Sequence, residues 1–200
     1  GDSEVRAVVI KAEGKSFTAG TDLEEAGSLL SGQAADQREA TRRKILKLQD
    51  GLTSIERCSK PVIAAIHSHC IGGGIDLISA CDIRIATEDA VFSIRETPMG
   101  IIADLGTLQR LPDIIGHGWF RELALTGRNF SAAEALQMRL VTRLCANRDE
   151  LYAEAKNLAD RIAACPPLTV QGTKEVILYS RDNGIDAGLQ YVAQKNAAAL

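Results

Sequence analysis

Three carboxylates stand where a titratable group is out of place. Asp76 lies between Ile75 and Leu77 just after a triple glycine, Glu96 follows the segment VFSI, and Asp104 interrupts the apolar stretch IIADLG. An acid among apolar neighbours loses the hydration of its charged form. Its pKa then rises toward the range where it gives and takes protons near neutral pH. Each has a plainer reading as well: a helix N-terminal charge for Asp76, a surface loop charge for Glu96 and a helix cap for Asp104. Taken singly, the plainer reading carries more weight, because spacing along the chain does not bring the three together.

Two turns of small residues offer a second kind of chemistry. Phe17-Thr-Ala-Gly-Thr-Asp22 and Cys70-Ile-Gly-Gly-Gly74 each follow a predicted buried strand and precede a predicted helix, and each is trailed by an acid. The first N–H groups of a helix lack internal acceptors, so such a turn can hold an anion or a developing oxyanion. Many glycine-rich turns do nothing more than allow positive φ or close packing. Neither turn is a P-loop, since no Gly-Lys-Ser/Thr follows, and residues 72–77 (G-G-G-I-D-L) do not complete a dinucleotide fingerprint. His67 and His69 would share one face of a strand as a two-ligand pair. With no third ligand nearby in sequence, a structural role is favoured over a metal site.

The elements that must carry these groups can be read from hydrophobic pattern and punctuation. Val5 to Lys11 and Val62 to His67 read as buried strands, and Ile83–Ala86, Val91–Ile94 and Val141–Leu144 as shorter ones. A helical composition runs from Asp22 to about Glu56, with Ile45, Leu48, Leu52 and Ile55 on one face, and Pro61 stops it. Cys70 to Asp76 reads as a tight turn opening a short helix. From Leu105 onward the pattern is almost wholly helical, with an S-x-x-E capping box at Ser131 and Glu134 and a strong helix from Asp149 to Ala164. Two further helices are expected around 168–180 and 185–200, split by the turn Asp182-Asn183-Gly184. Strands alternating with helices and then helices alone predict an α/β core at residues 1–130 and a helical C-terminal region at 131–200. A strand almost at residue 5 and a helix still running at Leu200 lead us to expect a fragment or absent flanking residues.

Composition narrows the function. The 200 residues are 46% hydrophobic and 24% charged, as in a folded globular domain. Lys and Arg number 23 against 26 Asp and Glu, a net charge of −3, and aromatics make up 4%. That balance argues against phosphate-backbone binding and base stacking, hence against nucleic acid as a partner. No apolar run approaches the roughly 20 residues of a membrane span, and the N-terminal residues lack a signal-peptide layout, so a soluble protein is expected. The five cysteines are odd in number, widely spaced and never in a C-x-x-C pair, which predicts reduced, mostly buried thiols.

Long motifs then add a resemblance. FTAGTDL, the run ERCSKPVIAAIHSHCIGGGIDLISACDIRIATEDAVFSIRETPMGIIADLGTLQRLP and the segment LALTGRNFSAAEALQMRLVTRL resemble the crotonase (enoyl-CoA hydratase/isomerase) superfamily over essentially the whole chain. Within it, CIGGGIDLISACDIR, ADLGTLQRLP and LYSRD are most similar to the 3,5-to-2,4-dienoyl-CoA isomerases. The resemblance implies a spiral of ββα units with a helical C-terminal region that forms trimers or pairs of trimers. It implies an acyl-CoA substrate bound along Ala19, Gly20, Thr21, Asp22 and Leu23, with Thr21 and Gly73 supplying the N–H groups of a thioester oxyanion hole. It places the catalytic acids at Asp76, Glu96 and Asp104.

By the same resemblance no cofactor is needed, CoA being part of the substrate, and the compartment is mitochondrial or peroxisomal. Enoyl-CoA hydratase is the alternative. There Asp76 is one methylene shorter than the usual glutamate and Asp104 is an extra acid. A non-catalytic scaffold or RNA-binding relative is a third reading, disfavoured by the charge and by the three acids. Ser68 stands where relatives usually carry glycine, and the family has a strand-rich segment ahead of the position of Val5 that contributes to the CoA pocket.

Overall fold

The computed structural model describes residues 2, 4–20 and 35–199. Thr21, Asp22 and Leu23 lie outside the described residues. The chain order is β1 (Val8–Ile10), α1 (Ala35–Arg57), β2 (Val62–Ile66), β3 (His69–Ile71), α2 (Gly73–Ser79), β4 (Ile83–Thr87) and β5 (Val91–Ser93). A 3₁₀ turn at Thr97–Met99 follows, then α3 (Thr107–Ile115), α4 (His117–Thr126), β6 (Phe130–Ser131) and α5 (Ala132–Gln137). The chain closes with β7 (Leu144–Cys145), α6 (Arg148–Ala163), α7 (Pro167–Asn183) and α8 (Ile185–Ala199).

Two small sheets share the strands. One has the order β1-β2-β4-β7, all parallel, and the other the order β3-β5-β6. Each turn of the spiral gives its first strand to the first sheet and its second to the other, then adds a helix: β2-β3-α2 and β4-β5-α3 follow this scheme. The first turn does likewise, with β1 in the first sheet and Thr18 bridged to Cys70 of β3. This is the ββα spiral that the motifs implied.

The sequence VIAAI makes β2 the centre of the core, because a parallel strand covered on both faces needs apolar residues throughout. Alternation splits its side chains between two clusters. Val62, Ala64 and Ile66 pack with Ile75, Ile78 and Phe92, whereas Ile63 and Ala65 pack with Ile85, Leu151, Ala155 and Leu158. Residues beyond 130 contribute to this core too, since β7 extends the sheet beside β4 and α6 covers its second face. On α7, Lys174 is buried and donates to Asp82 Oδ2 (2.6 Å) and to the Lys60 carbonyl (3.2 Å). Asp82 Oδ2 also accepts from the Val62 N–H at 2.7 Å, so one ion pair ties α7 to the starts of β2 and β4.

Local readings were corrected in three places. His69 to Ile71 forms a strand rather than part of a turn, and the strand expected at Val141–Leu144 is confined to Leu144 and Cys145. There the Thr142 N–H and the Arg143 carbonyl are already engaged with Arg84 and Ala86 of β4 as the chain arrives. His67 and His69 do not share a strand face. Ser68 between them has φ 54°, in the left-handed region that costs a non-glycine residue about 1–2 kcal/mol, and it turns the chain from β2 into β3. His67 is buried and His69 exposed. Glycine, which the resemblance leads one to expect at this position, is the residue that such a backbone favours. Cys70, Cys81 and Cys145 are buried, Cys58 is half-buried and Cys165 exposed, all as free thiols. The capping box forms as expected, with the Glu134 N–H donating to Ser131 Oγ and Glu134 accepting from the Ser131 N–H.

The Cys70–Gly74 turn tolerates no side chain at Gly74, where a Cβ would collide with Thr18 Cγ2 and press on Cys70 Sγ. Gly74→Ala is expected to lower stability by about 1–3 kcal/mol through overpacking, read as a smaller urea midpoint at unchanged m-value.

Candidate active site

The two small-residue turns meet. The Phe17 and Thr18 N–H groups donate to the His67 and His69 carbonyls (3.0 and 2.9 Å), and the Ile71 N–H returns a bond to Thr18 O (3.2 Å). Gly20, at φ 102°, would bring a Cβ to 3.4 Å of the Ile71 carbonyl, and its Cα lies 3.9 Å from where a Cβ on Gly72 would sit. Both distances would leave a Cβ in ordinary contact, so it is the positive φ of Gly20 and Gly72 (55°) that calls for glycine at these positions.

Amide use within the second turn is selective. The Gly72 N–H is engaged, donating to Ser93 O at 2.9 Å. Gly73 opens α2, and no described residue accepts from its N–H. Gly73 lines a largely apolar cleft of about 720 Å³ together with Thr18, Gly20, Leu48, Leu52 and Leu105. This explains why the apolar face of α1 is incompletely buried: Leu48, 44% exposed, faces the cleft instead of the core. The amide of Gly20 turns inward to Thr18 Oγ1 (3.2 Å), and Ala19 is exposed. Of the expected oxyanion pair, then, the structure places the Gly73 amide at the cleft, whereas Thr21 lies outside the described residues.

The three acids converge behind this turn: Asp76 feels the charge of Asp104, and Glu96 feels the charges of both. Asp76, in the first turn of α2, is 1% exposed, and its Oδ1 accepts the Thr107 N–H at the start of α3 (2.7 Å). Burial pushes its pKa up. The Thr107 hydrogen bonding opposes that, the Asp104 charge adds to it, and the Arg110 charge opposes it. Glu96 sits at the head of the 3₁₀ turn with Oε1 3.3 Å from the Cβ position of Gly72. Burial raises its pKa most, and the charges of Asp76 and Asp104 raise it further. Its Oε2 is buried with no hydrogen-bond partner among the described residues. Asp104 is half-buried, and burial raises its pKa as well. Carboxyls arranged this way each give up a proton less readily than a solvated acid, and ionisation of Asp104 makes that of Asp76 and Glu96 harder. A desolvated set of acids beside an amide that no described residue engages, at an apolar cleft, suits proton transfer to and from a carbon skeleton whose carbonyl is held by hydrogen bonds.

Other residues at this site carried no signal of their own. Gln49 on α1 donates to the Asp104 carbonyl at 2.5 Å across 55 positions of sequence, a contact that no periodicity announces. Thr107 and Arg110 stood in view inside ADLGTLQRLP, but nothing in their residue types separated them from neighbours.

The chain is similar to known proteins over nearly its whole length. The family model described as Enoyl-CoA hydratase/isomerase matches residues 1–194. The peroxisomal Delta(3,5)-Delta(2,4)-dienoyl-CoA isomerase of Arabidopsis thaliana is 46% identical over 98% of this chain and 73% of its own length. The mitochondrial enzyme of that name from Homo sapiens is 45% identical over all of this chain and 62% of its own. The chain thus spans about two thirds of such relatives. Among solved structures, the Bacillus anthracis enoyl-CoA hydratase superposes with a TM-score of 0.88 at 34% identity, covering 98% of this chain and 73% of that one. A Thermobifida fusca protein solved in complex with acetoacetyl-CoA gives 0.87 at 31% identity over 97% and 77%.

A carboxyl whose folded pKa is raised binds a proton more tightly in the native state, so it subtracts stability as pH climbs above the unfolded value of about 4. Asp76→Asn keeps an acceptor for the Thr107 N–H and removes the charge. It is expected to be more stable than the parent in urea at pH 7, with the difference closing below about pH 4.

Proposed function

The chain belongs to the enoyl-CoA hydratase/isomerase family, and from that premise we propose that it converts 3,5-dienoyl-CoA to 2,4-dienoyl-CoA by proton transfer between carboxyl groups. The observation that carries this reading is the third acid. Asp104 is desolvated and coupled to Asp76 and Glu96 rather than turned to solvent. The high identity to relatives named for this isomerisation supports it. The alternative of hydration has weaker support, because the relatives of 45–46% identity carry the isomerase name.

The reaction removes a proton from C2 and adds one at C6, with the electron pairs moving along the diene between them. As the C2 proton leaves, charge collects on the thioester oxygen, which the Gly73 N–H stabilises together with a second amide, assigned by motif to Thr21. Ala19 to Leu23 would then line the acyl-CoA. Asp104 serves as the base at C2 and Glu96 as the acid at C6. Two carboxyls are needed because the carbons are several bonds apart. The charge of Asp76 adds to burial in raising the Glu96 pKa, which favours the proton-bearing form that an acid needs. CoA arrives as part of the substrate, and hydrogen bonds carry the enolate charge, so the reading calls for no metal or redox group.

The compartment follows the relatives, peroxisomal or mitochondrial by their names. The same reading includes a homotrimer or a pair of trimers. It is supported by Leu168, Ile177, Ile185 and Leu189, which α7 and α8 leave exposed.

Diene absorbance at saturating 3,5-dienoyl-CoA is the test. Asp104→Asn and Glu96→Gln are each expected to lower kcat by about 10²- to 10⁴-fold. Crotonyl-CoA hydration should remain far slower than isomerisation in the parent. Near-normal turnover in both variants, or hydration as the faster reaction, would overturn the assignment.

A further inference from the structure

Arg110 stands one turn after Thr107 on α3, and its side chain folds back over Gly106, where a Cβ would collide with the guanidinium. It is largely buried and makes a three-way anchorage. Nε donates to Glu56 Oε1 at 3.2 Å, one terminal nitrogen donates to Thr53 Oγ1 at 2.9 Å, and the other reaches the Leu105 carbonyl at 3.5 Å. Glu56 and Thr53 lie on α1, as does Gln49, which holds the Asp104 carbonyl. The Asp104–Thr107 turn is therefore tied to α1 at both ends. It carries one acid of the cluster and the amide that grips another.

We propose that Arg110 is a positioning residue for the carboxyl cluster: its anchorage to Glu56 and Thr53 fixes the Asp104–Thr107 turn, and with it the placement of Asp104 and of the N–H that holds Asp76. A planar, always-charged fork suits this task, since one side chain must satisfy two helical partners and a carbonyl together. Its charge also acts on the cluster, favouring ionised Asp76 against burial and against Asp104. The other charged groups of this region are accounted for. Glu56 also accepts from Arg181 of α7 (2.6 Å), Arg181 bonds Asp182 (2.7 Å), and Asp113 lines the same polar cleft of about 510 Å³.

The test uses the full chain with Arg110→Gln, Arg110→Lys and Arg181→Gln. The first readout is a carbon-13 NMR titration of the side-chain carboxyls, which needs no substrate. Loss of a nearby cation disfavours the ionised acid, so Arg110→Gln should move the Asp76 midpoint to higher pH. Arg110→Lys should return it toward the parent, and Arg181→Gln should leave it in place. The second readout rests on the isomerase reading. Both Arg110 variants should lose about 10- to 100-fold in kcat with KM little changed, because lysine restores charge but not the fork.

Carboxyl titrations of a folded Arg110→Gln that superpose on the parent's would overturn the proposal, as would an equal shift from Arg181→Gln. If Arg110→Gln does not fold, parent-like kcat in Arg110→Lys overturns it instead, and reduced kcat with a parent-like Asp76 midpoint supports it. A parent protein without isomerase activity would fail the functional reading and leave the titration to decide the role of Arg110.

Discussion

The close approach of two backbones controls everything at this site. Thr18 pairs with Cys70 as a single parallel bridge, and Gly20, Gly72 and Gly74 then let the first small-residue turn lie against the second without side chains between them. The Gly72 amide is drawn away to Ser93, whereas no described residue accepts from the amide of Gly73, which lines the cleft. The contact depends in turn on β2. Its residues VIAAI are buried on both faces and pair in parallel with β1, which leads to the first turn, while β3, which follows β2 and leads to the second, pairs with β5. A helix start following a buried parallel strand is a rigid place to hold a donor, since moving it would disturb two hydrophobic clusters.

Desolvation does the electrostatic work. Burial is the largest cause of the raised pKa of Asp76, Glu96 and Asp104 alike, and their mutual charges add to it for the first two. Such a group of acids weakens the fold near neutral pH, which is the usual relation between a functional site and the stability around it. The burden is limited by a few specific contacts, chiefly the Thr107 amide on Asp76 and the Arg110 charge behind it. Elsewhere a buried charge is treated differently. Arg84 is spread over the carbonyls of Leu140, Ile78 and Cys81, and Lys174 meets Asp82, so both are satisfied by structure and have no proton chemistry to perform.

How far the site was legible depended on the range of each contact. The VIAAI strand, the Ser131–Glu134 capping box and the helices flanking Pro166 and Gly184 are local patterns, and they appear at nearly the expected residues. Cys70 and Ile71 read as part of a turn because a three-residue strand after a reversal is too short for alternation to register. They became a strand by pairing with Val91 to Ser93. Ser68 is the reverse case. Its departure from glycine was visible in the letters, but the left-handed backbone that gives the departure meaning was not.

By itself, the sequence determined the alternating plan of strands and helices, the two glycine-bearing turns and three acids in apolar company, because each rests on residues close together in the chain. Its long motifs also pointed to the family. Only the tertiary structure decided that the acids share one desolvated place, that Ser93 takes the Gly72 amide, and that Gln49 bonds Asp104, Thr107 bonds Asp76 and Arg110 bonds Glu56 and Thr53. Those outcomes depend on groups separated by up to 57 positions and brought within hydrogen-bond reach by packing. Burial and charge coupling act through space, and residue spacing carries no record of either.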